Sequence, residues 1–238
     1  MQIIEVTDLA VRSAVIRLRR QGSALQFVLY PMIHMAKPTF YAAVAKRLRT
    51  ADIVVAEGVG GAGGGKHSVL VGALTLSYTV LRFNRRAQLV RQDIDYQALG
   101  VPVVRPDVTA DEFAAGWRRI PLAFRLTMWA VLPLVLITRL FGGTRAIWSH
   151  SMETNDLPLT HQEEEDNDLP EALEAAFLGS RDERLVAALC RLHEQRGDDP
   201  IEVAVVYGAG HTPAIVHGLI QRYGYRPRAA DWLTIADL

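Results

Sequence analysis

Apolar and charged positions alternate over residues 14–20, where Ile16, Arg17, Leu18 and Arg19 give the period of two expected of a half-buried strand. Gln21-Gly22-Ser23 predicts a turn, and Leu25 to Tyr30 a second strand, so the chain is expected to open with a β-hairpin. From Pro38 the period lengthens. Tyr41, Val44, Ala45 and Leu48 recur at helical spacing behind a proline suited to a helix's first turn. The run DIVVA at 52–56 is short and continuously apolar, the pattern of a strand covered on both faces in a parallel sheet.

After Glu57 comes a glycine-dense loop, GVGGAGGGK, followed by helical patterns from about 68 to 99. Val101 to Val104 predicts a short strand closed by Pro106. Residues 109–142 read as mostly helical, with Thr109 and Glu112 spaced as a capping box. The polar stretch 149–170 is the best loop, and a helix pair is expected over 171–196. Val203 to Tyr207 is a second buried strand. Thr212 suits an N-cap with Pro213 at the first helical position, and a last strand is expected near 229–236. Strands alternating with helices predict an α/β fold: a largely parallel central sheet, an N-terminal hairpin, and a mostly helical insertion over about 109–196. The 238 residues suit a single domain, 1–238, carrying that insertion.

Composition narrows the partners. Basic and acidic residues balance at 26 each, so no nucleic acid is expected to bind. The acidic run at 163–168 reads as a solvated linker. The single cysteine, Cys190, excludes an intrachain disulfide and sits among leucines and valines as a small core residue. The first residues carry Glu5 and Asp8 and lack a continuous apolar stretch, so no secretory leader is expected and the location is read as cytoplasmic. Between Arg125 and Arg139 lie thirteen uncharged residues interrupted by Pro133, fewer than the ~20 that span a bilayer. This run is either buried core or a contact surface. The second reading predicts peripheral membrane association or a homodimer through 126–140, involving Trp129, Leu132, Leu136 and Leu140.

Four polar residues share one topological address. His34, Glu57, Asp107 and His211 each follow a predicted strand, and in open α/β sheets ligands bind beyond the carboxyl ends of strands. Two imidazoles with one or two carboxylates also suit a divalent metal with room left for water. Gly208 and Gly210 around His211 allow a tight turn and close backbone approach before a helix start that favours an anion. Taken singly, His34 also reads as a hydrogen-bonded histidine at a strand end, and Asp107 as a turn former after Pro106.

The segment VAVVYGAGHTPAIVHGL resembles the C-terminal motif of the TraB/PrgY/GumN (Tiki-like) family, whose strand ends in Gly-Ala-Gly-His. FVLYPMIHMAKPTFYAAVAKRLRTADIVVAEGV resembles that family's opening strand, histidine motif, helix and glutamate-ended strand. GVPVVRPDVTADEFAAGWRRIP is similar to its middle segment. LPLTHQEEEDNDLPEALEAAFLGSRDERLVAAL resembles the segment with an Arg-Asp pair, here Arg181 and Asp182. The resemblance spans most of 25–225. It implies a metal-dependent hydrolase, with peptide or small-molecule substrates and manganese, cobalt or zinc as cofactor. Some family members are linked to peptide-pheromone shutdown. Carried over, His34, Glu57 and His211 become metal or acid–base residues, Arg181 a catalytic or orienting residue, and Asp107, Asp182, Gly208 and Gly210 the supporting set.

Two other functions stay open. One is a non-catalytic module that binds a peptide or small ligand on the same fold. The other is nucleotide binding, since Gly60 to Lys66 spells most of a phosphate loop, with His67 where Ser or Thr would hold magnesium.

Overall fold

The computed structural model describes residues 1–58, 88–92, 94–109, 154–155 and 179–238, with single positions and short runs between 112 and 133. In chain order the strands and helices are β1 (Gln2–Val6), β2 (Ala10–Arg19), β3 (Gln26–Met32), β4 (Met35–Ala36), α1 (Pro38–Leu48), β5 (Ile53–Ala56) and β6 (Val90–Arg91). Then follow β7 (Val103–Val104), β8 (Thr154–Asn155), α2 (Ser180–Arg196), β9 (Glu202–Gly208), α3 (Thr212–Tyr223) and β10 (Arg226–Asp237). One sheet runs β7-β5-β9-β3-β2-β1-β8, with β10 also laid along β2. From β7 to β3 neighbouring strands are parallel; from β3 outward they are antiparallel. The chain is thus an α/β protein with a parallel sheet centre and an N-terminal hairpin.

The parallel strands are the apolar ones, for a physical reason. All four residues of β5 and the interior of β9 are buried, as continuous Val-rich runs should be when both faces are covered. The connection from β3 through α1 to β5 passes over β9, which pairs on one side with β3 and on the other with β5. This crossover is what brings the ends of β3, β9 and β5 side by side. Helices α2 and α3 pack closely where Gly218 faces Val186: a Cβ at Gly218 would stand 2.6 Å from Val186 Cγ1. Cys190 is buried on α2 as expected.

Several expectations need correcting. Residues 88–99 are not helical where described; they hold β6 and a 3-10 turn at Gln97–Leu99. Strand β1 was not expected, and β10 is longer than the 229–236 segment. Its added first residues, Arg226 to Arg228, are exposed, so no burial pattern announces them, and pairing with β2 extends the strand. Helix α3 begins one residue early, because the 3-10 turn Ala209–His211 runs directly into it. His211 is the N-cap and Thr212 the first helical residue, with no side-chain cap bond. The capping box does form: Thr109 N–H donates to Glu112 Oε2 (2.8 Å) and Glu112 N–H to Thr109 Oγ1 (3.2 Å).

Described positions of the insertion, such as 125–127 and 129–131, are helical. Most of the insertion, the glycine loop at 60–66, the acidic run and Leu132, Leu136 and Leu140 lie outside the described residues. Among the described residues no helix is long and apolar enough to cross a membrane.

Candidate functional site

The strand order predicts the order of the site residues. Reading β7-β5-β9-β3 across the sheet, the residues just beyond the strand ends are Asp107, Glu57, His211 and His34. The Glu57 N–H still donates to Val206 O (2.9 Å), so the β5–β9 ladder carries this residue to its place. The start of α2 supplies the cross-links. Arg181 and Asp182, adjacent in sequence, reach different partners.

Arg181 holds the two carboxylates. Its Nε and Nη2 donate to Asp107 Oδ1 and Oδ2, both at 2.8 Å, and Nη2 also donates to Glu57 Oε1 at 2.5 Å. The fork-on-fork pairing with Asp107 is the strong geometry for a guanidinium. Asp107 is 1% exposed at its side chain and Arg181 10%. Backbone N–H groups of Gly58 (3.0 Å) and Val108 (2.8 Å) complete Asp107's acceptor capacity. Asp107 is therefore a buried anchor, and only the Val108 bond corresponds to the turn-former reading.

Burial alone would raise the Glu57 carboxyl. The Arg181 guanidinium, His211 and the Gly208 N–H outweigh it and hold Glu57 below its usual 4.5. Burial likewise opposes ionisation of Asp107, and the bonds from Arg181, Val108 and Gly58 keep it below 3.8. Both carboxyls are anionic at neutral pH.

Gly208 serves by its lack of a side chain. Its N–H donates to Glu57 Oε2 (2.8 Å), and a Cβ there would stand 3.3 Å from that oxygen. Its φ is −50°, so close approach rather than a left-handed turn is what glycine provides. The anion expected at this helix start is the protein's own Glu57. Gly210 is exposed in the 3-10 turn.

His211 is buried and oriented from behind. Its Nδ1 lies 2.6 Å from Asp182 Oδ1, so the ring proton sits on Nδ1 and is donated to that carboxylate. Nε2 then faces Glu57 Oε1 at 3.8 Å, beyond direct hydrogen-bond range. The Tyr207 ring packs edge-on against the imidazole, centroids 5.5 Å apart.

His34 stands at the rim. It is exposed, and its backbone carbonyl accepts from Gln92 N–H (2.9 Å), tying it to β6. Crowding by surrounding atoms pushes its imidazole below 6.5; Glu57 opposes that shift, and Arg91 and Arg181 add to it. His34 is therefore within electrostatic reach of Glu57 and neutral at pH 7. Comparison with protein-family models, curated proteins and solved structures finds no match.

The donor set bears on a metal. The 3.8 Å between His211 Nε2 and Glu57 Oε1 sets an imidazole nitrogen and a carboxylate oxygen, both metal-donor types, across one gap. Asp182 behind His211 is the carboxylate that orients a ligating imidazole. These two donors fit one ion. Among the described residues no three His, Cys, Asp or Glu side chains are grouped to hold one, so His34 does not close on the pair.

The sequence reading missed Arg105, Tyr96 and Gly58. Arg105 precedes Pro106-Asp107, and that position beside a strand-end aspartate was its available signal.

Proposed function

We propose that the chain is a hydrolase of the TraB/PrgY/GumN type, acting on a peptide or a small ester or amide at Glu57 and His211, with His34 at the rim. One observation carries the reading. Nε2 of His211, its other nitrogen committed to Asp182, faces an anionic oxygen at 3.8 Å across a gap suited to a cation or water. The motif resemblance supports the same assignment.

Glu57 and His211 would hold a manganese, cobalt or zinc ion, which when bound polarises a carbonyl and lowers the pKa of water. The chain's own residues do the rest. Asp182 fixes the tautomer that presents the Nε2 lone pair. Arg181 and Gly208 hold the Glu57 carboxylate in place. His34, neutral at pH 7, accepts the proton of the attacking water and returns it to the leaving amine or alkoxide. A ligand-binding role without turnover would use the same residues and lack only the last step.

Adding manganese, cobalt or zinc to chelator-treated protein is expected to raise the melting temperature, because a ligand of the native state alone stabilises it. His211→Ala should remove the shift. An equal shift in the variant would place the ion elsewhere.

A partner surface on the insertion is the second part of this proposal. Leu122, Leu126, Trp129 and Val131 are exposed large apolar residues. Their exposure supports contact through 126–140, with a second copy or a membrane surface. Light scattering should show a dimer, or liposome flotation should recover the protein. A monomer that ignores liposomes removes both.

A further inference from the structure

Arg105 lies at the same row of strand ends, one strand out from Glu57. Its guanidinium rests over Gly58, where a Cβ would stand 2.7 Å from Arg105 Nη1, so glycine leaves the space it occupies. It also lies 5.0 Å from the centre of the Tyr96 ring, a cation–π contact that restrains a long side chain. The neighbouring carboxylates are engaged by other donors. Asp107 accepts from Val108, Gly58 and twice from Arg181; Glu57 accepts from Arg181 and Gly208. Arg105 has no hydrogen-bond or ion-pair partner among the described residues, so none of them commits its N–H donors.

A second polar group is unsatisfied in the same charged surroundings. The Tyr207 hydroxyl is buried and has no hydrogen-bond partner among the described residues. It lies within electrostatic reach of Asp107, Glu57, Arg181 and Arg105. An orphaned buried hydroxyl is costly, and a ligand atom is one way to satisfy it.

We propose that Arg105 receives a carboxylate of the substrate, so that the site selects peptides or acyl compounds with a free carboxylate close to the bond attacked. The proposal rests on the hydrolase reading for where that bond lies. A guanidinium fork matches a carboxylate in two parallel bonds. Glu57 and Asp107 nearby disfavour a doubly charged phosphate relative to a singly charged carboxylate.

N-acetylated dipeptides of varied side chain, each as free acid and as C-terminal amide, are titrated into the full chain, and binding is read by NMR or calorimetry. The acids should bind about tenfold or more tightly than the amides. Arg105→Gln should close that gap by weakening the acids alone. Arg105→Lys should keep part of it. Gly58→Ala, which pushes the guanidinium off its seat with its charge intact, should narrow it. Equal binding of acids and amides by the wild type, including no binding of either, overturns the proposal, as does a gap that survives in Arg105→Gln. Binding and turnover are separate readouts, so the two ideas fail separately: acids bound selectively but left uncleaved in a parallel turnover assay sink the hydrolase reading and keep this one, and acids and amides bound alike sink this one.

Discussion

Replacing Arg181 with methionine is expected to cost about 3–5 kcal/mol of folding stability, the range for leaving a buried charge without its partner. Asp107 is 1% exposed, and two of its bonds come from this guanidinium. Methionine fills similar volume and supplies no donor, so both carboxyls must either desolvate as anions or take up protons. Arg181→Lys should recover only part of the loss, since an ammonium cannot donate the paired Nε and Nη2 bonds. Urea unfolding of the three proteins measures the difference.

The pH dependence has a definite sign. Glu57 and Asp107 are held below their ordinary values of 4.5 and 3.8, so the unfolded chain binds protons first as pH falls. Their contribution is complete above those values and is lost as pH drops through the lower folded ones. In Arg181→Met, where both carboxyls move up, the deficit relative to wild type should be largest near neutral pH and shrink below about pH 4. A deficit independent of pH would mean that Arg181 stabilises by packing alone.

How much of this was legible beforehand follows from what each residue depends on. The apolar runs DIVVA and VAVVY are local, and they announced buried parallel strands and the polar residues after them. That His211 stands beside Glu57, and not beside a more distant strand end, depends on β9 inserting between β3 and β5, a long-range pairing no local pattern encodes. Asp107 after Pro106 looks like a turn residue until Arg181 arrives from a helix 74 positions along the chain. Arg181 and Asp182 were legible as a pair only through the motif resemblance; their division of labour comes from opposite directions of reach at one helix start. Arg105 was not legible, because its place over Gly58 is a product of folding. The start of β10, Arg226 to Arg228, escaped for the converse reason, as its pairing with β2 leaves no apolar pattern.

The second large effect concerns rate. Glu57→Gln keeps the shape of the side chain and removes the charge that faces His211 Nε2, and His211→Ala removes the imidazole. Each withdraws a donor that would hold the activating ion, and each is expected to lower hydrolysis by about 10²–10⁴-fold, an effect as large as losing a positioned acid–base group. His34→Gln should also lower the rate and abolish an acid limb lying below pH 6.5, where the wild-type imidazole becomes protonated. Circular dichroism of each variant separates lost chemistry from lost fold.

The most direct test is hydrolysis of a panel of internally quenched peptides and small esters by the full chain, with manganese, cobalt or zinc present, compared with His211→Ala. The account predicts turnover of at least one substrate by the wild type and a loss of two or more orders of magnitude in the folded variant, by that same ~10²–10⁴-fold range. No turnover by the wild type, or equal turnover by the variant, would contradict it.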